Sequence, residues 1–330
     1  MLLSSLGEFG LIDRIRNRFG GRRRAKGLVI GMGDDAFAAR LSVGHLLVST
    51  NDILIENTHF RRDWISPFDL GYKAMAVNLS DLAAMGKCKP LYALIGLGLP
   101  EDTTVDYVDK LYTGMNKIGG YFGLKIVGGD TVLSTKGVVI SVTLIGEAMQ
   151  EHLLTRAGAQ LGDKIYVTGT LGDSAGGLYL LQKGIRQGRG YIDCLLSRHR
   201  LPEPRLSLAA RLTATRQVTS MIDSSDGLNV SLRLIAEASG VGARIDIEKV
   251  PVSRALRQLA NKFKDADPLD FSITGGEDYE LVFTAPPSAA KKLSRMAGIT
   301  AIGTITAGRH VDYYLNGTPK KITTGGYRHF

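Results

Sequence analysis

The sequence predicts a two-domain α/β protein, and three observations lead there. The chain has 330 residues, 44% hydrophobic and 22% charged, enough for a sizeable core and about two domains. Short apolar runs of strand character alternate with stretches whose apolar residues recur at helical spacing. That pattern lapses over 151–162 and resumes at 164, which sets the boundary near residue 150 and divides the chain into 1–150 and 151–330.

Taken in order, the apolar run 27–30 leads into Gly31-Met32-Gly33-Asp34-Asp35-Ala36, and the run 46–49 leads into Asn51-Asp52. Both read as strands feeding acidic turns. Ser66 is a natural N-cap with Pro67 at the first helical position, and Leu70, Ala74, Val77 and Leu82 continue at helical spacing until Gly86. Asn78 and Asp81, three apart, share one face of that helix. A strand over 91–99 follows, then a helix marked by Val105, Val108, Tyr112 and Met115, then a strand over 124–127 that ends at Gly128-Gly129-Asp130, and another over 138–146. Runs 46–49 and 91–99 are too apolar to stand as open sheet edges, which predicts a homodimer formed through the N-terminal half. In the second half, strands are expected at 164–168, 243–247, 279–284 and 300–305, with helices after Asp173, Pro204 and Asp226.

Charge and cysteine content narrow the function classes. The formal net charge is +9, with Arg14, Arg16, Arg18, Arg22, Arg23, Arg24 and Lys26 gathered near the start. No nucleic-acid motif or interleaved aromatic accompanies them, so they read as a solvated helix end and loop, and no nucleic-acid partner is expected. A positive field still draws in anionic nucleotides. Cys88 and Cys194 are too few for a disulfide framework and six scattered histidines lack zinc spacing, which together point to a reducing, cytoplasmic setting. The opening Met1-Leu2-Leu3 meets Glu8 before a signal core forms, and 91–99 is too short to span a bilayer, so no membrane segment is expected.

Chemistry is carried by aspartates that recur at the ends of apolar runs: Asp34-Asp35, Asp52, Asp81, Asp130, Asp223 and Asp226, and Glu277-Asp278. Each alone reads as a solvated cap. As a series they suggest carboxylates converging on hard cations, which favours several Mg²⁺ ions and a phosphate substrate. Gly31-Met32-Gly33-Asp34-Asp35-Ala36 imitates a dinucleotide-binding loop, with Asp52 near the place of a ribose-binding acid. Two carboxylates inside the loop would repel a pyrophosphate, and 37–44 is too short for the crossover helix, so that reading fails. No P-loop string and no protein-kinase H-R-D or D-F-G string occurs.

These residues resemble the thiamine-monophosphate kinase family, of the aminoimidazole ribonucleotide synthetase-like superfamily. The likeness runs from Gly7-Glu8-Phe9 through Asp52 to His59-Phe60, the string from Lys73 to Gly86, Gly128-Gly129-Asp130-Thr131, Thr155-Arg156-Ala157-Gly158-Ala159 and Asp223-Ser224-Ser225-Asp226-Gly227-Leu228, to Gly275-Gly276-Glu277-Asp278-Tyr279-Glu280-Leu281. The helix string and the Gly-Gly-Glu-Asp-Tyr-Glu-Leu string are its most specific parts.

The resemblance implies an N-terminal domain for metal, ATP and dimerisation, whose sheet is shared across the dimer, and a C-terminal α/β domain that closes over nucleotide and substrate. It implies metal ligation by Asp35, Thr50, Asn51, Asp52, Asp81, Asp130, Asp223 and Asp226, ATP contacts from Tyr112, Gly129, Arg156 and Ser225, and thiamine monophosphate contacts from His59, Glu277 and Tyr327. The family commonly reads Ser-Thr-Asp where this chain has Thr50-Asn51-Asp52, which leaves side chain or backbone open as the donor at 51. The implied reaction moves the γ-phosphoryl group of ATP to thiamine monophosphate, with Asp52, Asp130 and Asp223 acting through metal and no general base. Another ATP-dependent enzyme of the superfamily, or a nucleotide- or metal-binding protein without turnover, stays open as an alternative.

Overall fold

The computed structural model describes residues 3–19, 27–30 and 38–322. The chain divides into two compact units, Met1–Leu82 with Cys88–Glu151, and Ala83–Lys87 with His152–Phe330. The first unit opens with helix α1 (Leu3–Phe19) and a two-stranded ribbon, β1 (Leu28–Ile30) with β2 (Ala38–Ala39). It continues through β3 (Leu46–Ile55), α2 (Pro67–Ala84), β4 (Lys89–Leu99), α3 (Val105–Tyr121), β5 (Lys125–Leu133) and β6 (Val139–Ala148). The four long strands form one sheet in the order β3-β6-β4-β5. Only β4 and β5 pair in parallel, because α3 supplies the crossover that a parallel pair needs.

Helix α2 starts as its sequence predicts. Pro67 begins it, and Ser66 Oγ accepts a hydrogen bond from Asp69 N at 3.1 Å. It is buried along nearly its whole length, as a helix apolar on most sides must be. It packs against α3 through two glycines: a Cβ on Gly71 would stand 1.9 Å from Leu111 O, and one on Gly114 would stand 1.9 Å from Phe68 O. Helix α1 is tied to α3 by charge. Arg14 forks onto Asp109 at 2.9 and 2.5 Å, Arg18 bonds the same carboxylate, and the Arg14 hydrogen bonds hold the Asp109 carboxyl below its ordinary range. Part of the arginine run is thus a structural clamp; Arg22, Arg23, Arg24 and Lys26 lie outside the described residues.

Two expectations need correction here. Asn51-Asp52 and Gly128-Gly129-Asp130 are not turns, since β3 and β5 run straight through them. Strand β3 pairs with β6 without interruption from Leu46↔Ala148 to Ile55↔Val139, so the ladder outweighs the local turn preference of Asn and Asp. Nor is 91–99 an edge, because β4 lies between β6 and β5. Strand β3 is one edge of the sheet and β5 the other. Val48 and Leu54 are buried on one face, and Leu47, Ile53 and Ile55 are exposed on the other.

The second unit contains β7 (Lys164–Thr168), α4 (Asp173–Gln182), α5 (Tyr191–Arg200), α6 (Leu206–Thr213), β8 (Ser220–Asp223), α7 (Leu228–Ser239) and β9 (Gly242–Asp246). Then come α8 (Arg254–Lys262), α9 (Pro268–Thr274), β10 (Leu281–Ala285), the single turn α10 (Ala290–Leu293), β11 (Ile299–Thr306), β12 (Val311–Leu315) and β13 (Thr318–Pro319). Its seven strands lie in the order β13-β12-β9-β11-β7-β10-β8, antiparallel except where β12 meets β9. Ile165, Val167, Ile222, Leu232, Val282 and Ile302 belong to one apolar core against this sheet. Residues 83–87 belong to this unit as well: Leu154 N donates to Met85 O at 3.1 Å and Lys87 N to His152 O at 3.3 Å.

Candidate functional site

In the first unit the acidic face is built by strand alternation meeting helix periodicity. Thr50 and Asp52 are two apart on β3 and so share a face, while Asn78 and Asp81 share a face of α2. The two faces meet. Thr50 Oγ1 donates to the Asp81 carboxylate, and Asp52 N donates to Asn78 Oδ1 at 3.1 Å. Asn78 is fully buried and is held by its own Nδ2 donating to Ala74 O at 3.0 Å, so it fixes the strand to the helix beside the two carboxylates.

Asn51 alternates to the opposite face. Its Nδ2 donates to Ser141 Oγ, Val142 O and Thr143 Oγ1 at 3.1, 3.1 and 2.9 Å, which turns the side chain away from the face that carries Asp52. Asp130 is exposed next to Gly96 in the ladder, with Oδ1 accepting from Thr131 N at 2.8 Å. Gly129 has φ +152°, and a Cβ there would lie 1.9 Å from Ile95 O, so only glycine lets β5 pass β4 this closely. His59 Nδ1 accepts from Ile55 N at 2.9 Å, which fixes its ring at the end of β3. Tyr112 is 4% exposed and stacks on Phe19 at 5.4 Å between ring centres, so it serves packing in this arrangement. Asp35 and Tyr327 lie outside the described residues.

In the second unit two loops are zipped together by their backbones. Ser224 N donates to Glu280 O at 2.8 Å, Tyr279 N to Ser224 O at 3.0 Å, and Glu277 N to Ser225 O at 2.6 Å. Asp223 ends β8 and is 5% exposed; Asp226 leads into α7 through Gly227, whose φ is +102°. Ser224 Oγ is buried beside Asp223 and Ser225 without a hydrogen-bond partner among the described residues. Glu277 and Tyr279 hold φ of +65° and +53°, a left-handed conformation that side chains adopt at a cost and that the zipper enforces. Arg156 is exposed, and its carbonyl accepts from Ser239 Oγ at 3.3 Å.

The three acids of the second loop each have a separate partner. Asp278 accepts from Gly172 N at 2.6 Å and Ser174 N at 3.1 Å at the start of α4, and burial, helped by Asp173 nearby, pushes its pKa up to about 8. Burial would raise Glu280 too, but Arg205 and Arg198, each at 2.7 Å, outweigh it and hold its carboxyl below the ordinary value. Glu277 Oε2 stands 3.4 Å from His199 Nδ1, which is 3.1 Å from Ser174 Oγ. Sequence reasoning passed over Ser174, Arg198, His199 and Arg205. A signal existed for His199 alone: it occupies the buried stripe of α5 with Leu195 and Leu196.

Among the described residues no three His, Cys, Asp or Glu side chains gather into a metal cage. The oxygen donors come as small sets, Thr50, Asp52 and Asp81 in one unit and Asp223 and Asp226 in the other. Such donor sets suit Mg²⁺, which keeps several waters and completes its octahedron with substrate phosphates.

Comparison with known proteins adds the following. Residues 33–148 match the family described as AIR synthase related protein, N-terminal domain, and residues 160–316 match AIR synthase related protein, C-terminal domain. The thiamine-monophosphate kinase of Aquifex aeolicus is 37% identical over 330 residues, covering 100% of both chains. The crystal structure of thiamine-monophosphate kinase from Stenotrophomonas maltophilia K279a superposes with a TM-score of 0.82 at 36% identity, covering 94% of this chain and 96% of that one. A structure described as AaThiL complexed with AMPPCP and TMP superposes with a TM-score of 0.79 at 34% identity, covering 100% of this chain and 99% of that one.

Proposed function

This chain belongs to the thiamine-monophosphate kinase family, and from that premise we propose how its own residues carry out the family's reaction. The reaction is transfer of the γ-phosphoryl group of ATP to thiamine monophosphate, giving thiamine diphosphate and ADP. What carries the reading is likeness over the whole length, 37% identity across 330 residues, together with the complex of a relative that holds AMPPCP and TMP.

Transfer is direct and in line: an oxygen of the acceptor phosphate bonds to the γ-phosphorus as the bond to the β-phosphate oxygen breaks. The nucleophile is already an anion, so no side chain has to remove a proton. The barrier lies in bringing two polyanions together, and position and charge neutralisation lower it. Mg²⁺, when bound, neutralises phosphate charge and aligns the reacting oxygens. Thr50, Asp52, Asp81 and Asp130 would hold it in the first unit, with the backbone carbonyl of Asn51 and with Asp35. Asp223 and Asp226 would hold it in the second. Gly129, Arg156 and Ser225 would meet ATP, with Arg156 presenting a planar fork to phosphate. His59, Glu277 and Tyr327 would meet thiamine monophosphate. The first unit also forms a homodimer, and the protein works in the cytoplasm; no helix among the described residues is long and apolar enough to cross a membrane.

The test is chromatography of the full chain with ATP and thiamine monophosphate, or with free thiamine, over a Mg²⁺ titration. Thiamine diphosphate and ADP should appear together, and free thiamine should be a poor acceptor because it lacks the anionic nucleophile. Asp52→Asn should lose most activity and recover part of it at higher Mg²⁺. An unchanged Mg²⁺ requirement in the folded variant would remove Asp52 from the metal, and absence of thiamine diphosphate at saturating Mg²⁺ would overturn the assignment.

A further inference from the structure

We propose that His199 is a positioning residue for the phosphoryl acceptor, holding the carboxylate of Glu277 in the orientation that meets it. The inference rests on the reading of Glu277 as an acceptor-binding residue. The backbone of Glu277 is fixed by its N–H on Ser225 O at 2.6 Å and by Gly276, where a Cβ would lie 2.5 Å from that same oxygen. Its side chain is still 25% exposed, and a glutamate that is not held spreads over many rotamers. The His199 ring, 7% exposed, faces it, with Nδ1 3.4 Å from Oε2.

The ring has little freedom of its own. With the proton on Nδ1, Ser174 Oγ at 3.1 Å accepts from the same N–H that faces Glu277, and Ser174 is 1% exposed. Helix α5 comes close to α4 because Gly177 has no Cβ: one there would lie 2.3 Å from Leu195 O and 2.8 Å from His199 Cβ. One helix crossing therefore sets both Ser174 and His199. The neighbouring ionisable groups are engaged elsewhere, Arg198 and Arg205 on Glu280 and Asp278 on the α4 amides. A carboxylate repels a phosphate, so the end of the acceptor that Glu277 would take is a cationic or N–H-bearing ring.

Steady-state kinetics on the full chain tests this, varying acceptor and ATP separately for His199→Ala, His199→Asn, Glu277→Gln and the double variant His199→Ala with Glu277→Gln. His199→Ala should raise KM for the acceptor about tenfold, the loss expected when the Glu277 carboxylate is released from its orientation. KM for ATP and kcat at saturating acceptor should stay within about twofold, the range left by losing an interaction equal in ground and transition states. His199→Asn, whose Nδ2 can stand in for the Nδ1 donor, should recover most of the loss, and the double variant should be no worse than Glu277→Gln. If His199→Ala does not fold, His199→Gln, whose amide reaches past the Nδ1 position, takes its place in the comparison. Sensitivity of acceptor KM to Glu277→Gln but not to His199, or equal loss in the Asn and Ala variants, would overturn the inference alone. Insensitivity to Glu277→Gln would overturn the reading beneath it.

Discussion

Asp278 shows how one residue can be essential to a loop and still burden it. It is 5% exposed, caps the start of α4, and has a pKa pushed from 3.8 up to about 8 by burial and by Asp173. Between those two values the native chain keeps a proton that the unfolded chain has released. Stability therefore falls as pH rises from about 4 to about 8. Asp278→Asn cannot titrate, so its urea midpoint should vary less than the parent's between about pH 5 and pH 8. Equal pH dependence in the two proteins would contradict this. At this scale the acidic strings were legible because motif residues are contiguous, whereas their partners were not: Asp278 bonds residues 106 and 104 positions away, a relation no local pattern encodes. Asn51 was ambiguous for a different reason, since a motif fixes position but the strand's period of two decides which face a side chain takes.

Elements were read best where one local rule decides them. Ser66 and Pro67 announce α2, and α4, α6 and α7 each start where a turn residue precedes an apolar stripe. Strands β3 and β5 ran past their expected ends because pairing with distant β6 and β4 governs them. Helix α5 escaped notice, and His199 with it, since ten residues give only three turns of pattern. The α2 and α3 crossing was invisible in advance and is strict in consequence. Both Gly71 and Gly114 hold the opposing backbone inside the space of a methyl group. Gly114→Ala should cost about 3 kcal/mol or more, since the clash is with backbone carbonyl oxygen that no rotamer change relieves. Thermal unfolding would measure it; a midpoint equal to the parent's would show that the helices can separate freely.

For the whole molecule, the lapse in pattern near residue 150 is where the sequence suggests a division, and the five residues 83–87 that group with the second unit left no mark in composition. The dimer expectation keeps one of its two supports. Strand β4 is interior, yet β3 remains an edge with Leu47, Ile53 and Ile55 exposed at 59%, 48% and 41%. Light scattering at working concentration should give twice the chain mass, and Ile53→Asp should shift it toward a single chain. A monomer that is fully active would remove the dimer from the account. The excursion at 83–87 has its own consequence. The chain passes between its two units at 82–83, 87–88 and 151–152. A cut at the last of these would leave them joined twice over, and a gene divided there would give a second half without residues 83–87, which hydrogen-bond to its first residues. Neither half is a portable cassette, and recombination between relatives would have to exchange the α2 tail along with the C-terminal half.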